Sequence, residues 1–203
     1  MEALIAGASL IAVAAITPGP NNLAVLRITV AHGMPAAFPA MAGIVLGGLA
    51  MLGMTQLGLA ALVEEHSWVR SAIAVCGGTY LAWLGLTLVW RGLQRAPDAG
   101  RPEKVVPDGA LAMFVFQFTN PKSWTLALTV SAAMPAADDA GRFATTAMLF
   151  ALFVAIPSAC LIAWAAFGRL AARMLKDAAA RARFDCAMGV ALAASAIALL
   201  VKR

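Results

Sequence analysis

Between Ala3 and Val30 the chain carries one charged residue, Arg27, and the same starvation of charge recurs five more times along its length. Apolar runs of about 20 residues or more match the hydrocarbon thickness of a bilayer when helical. The runs fall at about 3–30, 36–62, 67–91, 109–134, 143–167 and 184–201, bounded by short charged or Pro/Gly-rich stretches. Those breaks are HGMP (32–35), EEHS (64–67), RGLQRAPDAGRPEKVVPDG (91–109), PAADDAGR (135–142) and GRLAARMLKDAAARARFD (168–185). Of the 203 residues, 62% are hydrophobic and 12% charged, against about 45–50% and 25% in soluble domains. The reading is an all-α integral membrane protein of six transmembrane helices in a single domain over 1–203. Residues 1–16 carry Glu2 and no Lys or Arg, and the apolar run outlasts any cleavage-site pattern, so they read as the first span and not as a signal peptide.

The net charge of +5 resides in short loops beside apolar runs, where Lys and Arg orient the protein and meet anionic lipid headgroups. That placement argues for a membrane-lipid partner and against nucleic acid. The first, third and fifth loops collect Arg27, Arg91, Arg95, Arg101, Lys104, Arg169, Arg173, Lys176, Arg181 and Arg183. The opposite side has Arg70, Arg142, Lys202 and Arg203. The positive-inside rule then expects both termini outside and a cytoplasmic linker at about 92–108. Cys76, Cys160 and Cys186 lie in separate segments with no CxxC, and His32 and His66 stand apart from acidic clusters. No metal, cofactor or enzymatic constellation is expected.

Two spans are broken at their centres. The first contains TPGP (Thr17, Pro18, Gly19, Pro20) followed by Asn21 and Asn22, and the fourth contains Thr119, Asn120, Pro121 and Lys122. Proline removes a backbone N–H and clashes with the carbonyl four residues earlier, and freed backbone groups survive in a membrane only against protein or a watery cavity. With three spans per half, repeats at about 1–91 and 109–203 run in opposite directions, and matched breaks in inverted repeats point to a transporter's binding site. Thr17 or Gly19 can cap one new half-helix, and Thr119 or Asn120 the other, each with proline in its first turn. Two half-helix N-termini facing one point favour an anionic group. Lys122, about 13 residues or some 20 Å of helix from either end of its span, adds a full charge too deep to snorkel to water and marks a functional site. Tyr80, the only tyrosine, and Gln117 lie mid-span, where each either lines the same cavity or bonds a neighbouring helix. Gln56 sits toward the outer end of its span, Pro157 predicts a kink, and Gly43 and Gly47 form a close-packing GxxxG pair.

ITPGPNNLAVLRITVAHG, Gly43, Gly47 and Gly48, YLAWLG (80–85) and TNPK (119–122) together resemble the LysE/RhtB family of bacterial amino-acid exporters, over nearly the whole chain and in the same order. The resemblance implies export of an amino acid or close derivative across the bacterial cytoplasmic membrane, driven by the proton gradient, by a homodimer. It carries Pro18, Gly19, Pro20 and Asn21 onto one family motif and Asn120, Pro121 and Lys122 onto the other. The substrate carboxylate would meet half-helix N–H groups and Lys122, and its ammonium Asn21, Asn22, unwound carbonyls and Tyr80. Asn21 stands where many relatives carry an acid, which favours a neutral over a cationic substrate. With no Asp or Glu near the middle of a span, Lys122 is the titratable group left to carry proton coupling. The alternatives are weaker. A thiol relay would need cysteines where Thr17 and Thr119 stand, and export of metal or inorganic ions would need midplane carboxylates or His/Cys clusters. A non-transporting assembly subunit would have no use for two matched breaks.

Overall fold

The computed structural model describes residues 2–59, 65–94, 108–132, 139–175 and 177–201, and among them there is helix and no strand. Helix lets each backbone polar group pair within its own segment, as apolar runs in hydrocarbon require. The elements are α1 (Glu2–Ile16), α2 (Pro20–His32), α3 (Met34–Met54) running on into one wide π turn (Thr55–Leu59), α4 (Ser67–Leu93), α5 (Ala110–Thr119), α6 (Pro121–Ala132), α7 (Asp139–Met174) and α8 (Ala178–Val201). Most of the expected linker at 92–108 lies outside the described residues.

Among the described residues, three helices are long and apolar enough to cross a membrane: Met34–Gly58, Ser67–Leu93 and Phe143–Met174. The pair Leu4–Ile16 and Pro20–His32, bent by 47°, makes a fourth when taken as one broken span. Gly33 separates α2 from α3 with φ of 84°, a left-handed conformation that glycine adopts without penalty, and Pro35 sits in the first turn of α3.

Two sequence expectations need correction. The stretch 168–185, read as a loop, is mostly helix: α7 runs to Met174 and α8 begins at Ala178. Its Ala, Leu, Arg and Lys residues are strong helix formers, and Asp177 opens α8 by accepting a hydrogen bond from the Ala180 N–H at 2.5 Å. Arg27, counted as a loop charge, lies inside α2. It is 8% exposed and its Nε stands 3.3 Å from Asp185 Oδ1 on α8.

α2 sits at the centre, with eight consecutive residues from Asn22 to Thr29 buried. A helix buried all round needs no polar face. Around it, Ile44 of α3, Leu81 and Leu84 of α4, Phe116 of α5, Leu161 of α7 and Leu192 of α8 close one core. α4 packs along α8 on glycines seven residues apart. A Cβ on Gly78 would stand 3.0 Å from Leu200, one on Gly85 2.6 Å from the Gly189 carbonyl, and one on Gly92 2.7 Å from the Ala182 carbonyl. Gly43 and Gly47 do the same on α3, against Ala110 and Phe114 of α5. The GxxxG pair therefore packs inside the protomer. Large apolar side chains cover the outside, among them Trp68, Trp83, Trp90, Phe143 and Phe167, a surface that water does not favour at this extent.

Candidate functional site

α1 stops at Ile16 because Pro18 and Pro20 cannot supply the N–H groups that its last turn would need. Gly19 is the extended N-cap of α2, with Pro20 in the first helical position. Gly19 brings no side chain to cap that end, and Thr17 turns its hydroxyl back to the Val13 carbonyl at 2.6 Å. The first N–H groups of a helix have no partner within it, so those of Asn21 and Asn22 face the break. The second break is tighter. Asn120 interrupts the helix for one residue, and its side-chain oxygen accepts from the Lys122 N–H at 3.1 Å. Its own carbonyl accepts from the N–H groups of Ser123 and Trp124 at 3.0 and 3.3 Å. This half-helix is therefore capped from within the chain, and the open N-terminus belongs to α2.

Folding joins the two breaks. Asn21 and Gln117 form a reciprocal amide pair: Asn21 Nδ2 donates to Gln117 Oε1 at 2.9 Å, and Gln117 Nε2 donates to Asn21 Oδ1 at 3.1 Å. Asn120 Nδ2 reaches Asn21 Oδ1 at 3.4 Å, and the Ser123 hydroxyl donates to Gln117 Oε1 at 2.8 Å. Lys122 crosses between the breaks, its Nζ donating to the Thr17 carbonyl at 2.8 Å. Gly19 leaves that path open, since a Cβ there would stand 3.0 Å from Nζ and crowd the lysine side chain. Asn22, 5% exposed, ties the end of α1 to α2 by donating to the carbonyls of Ala15 and Thr17.

A cavity opens beside this network. Its polar wall holds Gly19, Pro20, Asn21, Asn22, Gln117, Asn120 and Lys122 from the sequence-predicted set, together with Ser123. Its apolar wall holds Ile44, Val45 and Gly48 of α3, Leu126 of α6, and Phe153, Pro157 and Leu161 of α7. Among the described residues the wall carries one full charge, Lys122, and no carboxylate, histidine or cysteine. Thr17 touches the site through its carbonyl alone. Pro18, Thr119 and Pro121 shape the breaks without lining the cavity; the Thr119 hydroxyl donates to the Phe116 carbonyl at 3.0 Å. Tyr80 also stands outside the wall, with its ring 5.4 Å from that of Phe116 and 6.0 Å from that of Trp83. Gln56 reaches Ser131 Oγ at 3.3 Å, away from the cavity.

Sequence reasoning missed Ser123, and of the α7 wall it marked Pro157 only as a kink and missed Phe153 and Leu161. The signal for the α7 wall was present: Phe153, Pro157 and Leu161 are spaced four apart, on one helical face centred on a mid-span proline.

Comparisons with known proteins identify the family. The family model described as LysE type translocator matches residues 12–203. The leucine efflux protein of Enterobacter sp. (strain 638) is 29% identical over 112 residues, 53% of this chain and 52% of the relative. The threonine efflux protein of Salmonella typhi is 33% identical over 87 residues, 43% of this chain and 42% of the relative. The cysteine/O-acetylserine efflux protein of Klebsiella pneumoniae is 27% identical over 164 residues, 80% of each chain. The chain thus spans about half the length of the leucine and threonine relatives that it matches. No solved structure matches it. A family match over residues 12–203, with both helix breaks inside it, makes this chain a member of the LysE type translocator family.

Proposed function

We propose that this protein exports a neutral amino acid or close derivative across the bacterial cytoplasmic membrane, at a site near mid-membrane between the two helix breaks. One observation carries the reading: residues 96 positions apart, Asn21 and Gln117, lock the two breaks into one polar network beside a cavity that holds Lys122. A carboxylate entering the cavity meets Lys122 Nζ and the open N–H groups of α2. The apolar wall receives an uncharged side chain, and a cationic one would find no carboxylate there. The names of the relatives, efflux proteins for leucine, threonine and cysteine/O-acetylserine, support the same class.

The six-span, inverted-repeat reading is part of the proposal. Helices of 10 and 12 residues, α5 and α6, span about 15 and 18 Å end to end, enough together for a hydrocarbon core of about 30 Å. Packing supports pseudo-symmetry. α3 packs along α5 and α6 as α7 packs along α1 and α2, α3 meets α7, and α4 meets α8. Rocking of one repeat against the other would expose the site to each side in turn. The first, third and fifth loops then face the cytoplasm, with both termini outside. Exchange against protons would need a titratable group, and among the described residues Lys122 in the site and Asp185 beside Arg27 are candidates.

Cells making the protein are expected to survive toxic amino-acid analogues better than controls, and Lys122→Ala or Pro20→Ala to lose that protection at equal membrane abundance. Full protection by both variants would overturn the site, and no protection by the wild type across a broad panel would overturn export. In vesicles, an imposed pH gradient should drive uptake by the wild type, and Asp185→Asn, outside the cavity, should keep that response if Lys122 carries the proton and lose it if Asp185 does. Indifference of the wild type to the gradient would refute coupling.

A further inference from the structure

A neutral amino acid carries an ammonium group, and the cavity has no carboxylate to receive it. Of the four side-chain amide oxygens in the wall, those of Asn21 and Gln117 are fully engaged, Asn120 Oδ1 accepts from the Lys122 N–H, and Asn22 Oδ1 is left to stand beside the backbone carbonyls as an acceptor. A carbonyl oxygen has two lone pairs. Asn21 Oδ1 accepts from Gln117 and Asn120, and Gln117 Oε1 accepts from Asn21 and Ser123. The Thr17 carbonyl accepts from Lys122 and from Asn22, which also takes the Ala15 carbonyl. Two residues in the wall have backbone carbonyls of a different kind. In a helix each carbonyl accepts from the N–H four residues on. For Ala14 that residue is Pro18 and for Phe153 it is Pro157, neither of which has an N–H. Ala14, Phe153 and Pro157 all line the cavity. A proline ring also lies against the carbonyl that it deprives, and Pro157 itself lines the cavity.

We infer that the backbone carbonyls of Ala14 and Phe153 seat the substrate's ammonium group. The inference rests on the export reading and names what that reading lacks, the partner of the second charge. The two prolines act through the carbonyls that they leave free, Pro18 from outside the cavity wall and Pro157 from within it. Each leaves an acceptor unpaired where a cavity and no helix N–H can satisfy it. Lys122 and the α2 N-terminus hold the carboxylate at one end of the polar wall, and the two carbonyls hold the ammonium.

The test is counterflow in proteoliposomes, using the best-transported member of a leucine, threonine and cysteine panel against its own des-amino acid (4-methylpentanoate for leucine). Pro157→Ala returns an N–H to the Phe153 carbonyl, and Pro18→Ala does so for Ala14. Each is expected to raise the half-saturating concentration of the amino acid about tenfold while leaving inhibition by the des-amino acid unchanged. Equal weakening of both ligands would assign the prolines to helix shape alone, and no weakening of the amino acid would overturn the inference outright. A third arm needs no variant. The N,N,N-trimethyl derivative of the same amino acid, which has no N–H to donate, should inhibit the wild type at least tenfold less well than the parent, and equal inhibition would also overturn the inference. Absence of counterflow by any panel member would instead refute export itself.

Discussion

Gly47 is where fold and site meet most tightly, and its replacement by alanine separates them from general helix effects. A Cβ at Gly47 would stand 2.6 Å from Gln117 Cγ and 2.8 Å from the Phe114 carbonyl oxygen. Favourable contacts begin near 3.5 Å, and Phe114 contributes backbone, so a rotamer change cannot clear the clash. α5 must retreat from α3 by roughly 0.7 Å, carrying Gln117 with it. The Asn21–Gln117 bonds, now 2.9 and 3.1 Å, then stretch past hydrogen-bonding range. Overpacking of this kind costs about 1–3 kcal/mol, offset by up to about 1 kcal/mol from alanine's better helix propensity. The net loss of about 1–2 kcal/mol lowers the melting temperature of a chain this size by about 2–8 °C. Gly53, on the same helix, is the control, because a Cβ there would meet only Phe150 Cζ at 3.8 Å, an ordinary contact. Thermal unfolding in detergent and analogue-resistance assays should show Gly47→Ala less stable and export-deficient, with Gly53→Ala unchanged or more stable. Equal stability and equal export in the two variants would refute the reasoning.

Other perturbations follow from the same contacts. Arg27→Ala leaves Asp185, 29% exposed at its side chain, facing a buried vacancy; a loss of about 1–3 kcal/mol is expected in denaturation assays, partly recovered in the Arg27→Ala/Asp185→Ala double variant. Asn21→Asp replaces one half of the amide pair with a carboxylate that cannot donate. Export competition should then shift from neutral amino acids toward lysine, and unchanged preference would detach Asn21 from substrate choice. Gly48→Ala puts a Cβ 2.8 Å from Phe153 Cε1 and drives the ring across the cavity, so bulky substrates should lose transport before small ones, as a panel of graded side chains would read out.

The breaks were legible because a proline's missing N–H is a property of the chain and needs no neighbour to take effect. The apolar runs were legible for a similar reason, since a span's length and charge are local quantities. Lys122 could be singled out by depth alone. Charge was a poorer guide to loops: it counted Arg27, inside the first span, with the charges of the first loop and put 168–185 in a loop, because charge does not forbid helix and a buried arginine depends on a carboxylate 158 positions away. Tyr80 shows the same limit, for its ring packs beside Phe116 and Trp83 and not in the cavity wall.

By itself, then, the sequence determined that the chain is helical, apolar enough to live in a membrane, and broken at two matched points beside one deep cation. Only the tertiary structure decided that Asn21 pairs with Gln117, that Asn120 caps one break while the other stays open, that Lys122 reaches Thr17, and that the Pro157 face of α7 closes the cavity. Secondary structure answers to residues a few positions apart. A site answers to side chains that meet only when helices pack, and which glycine admits which neighbour is settled at that contact.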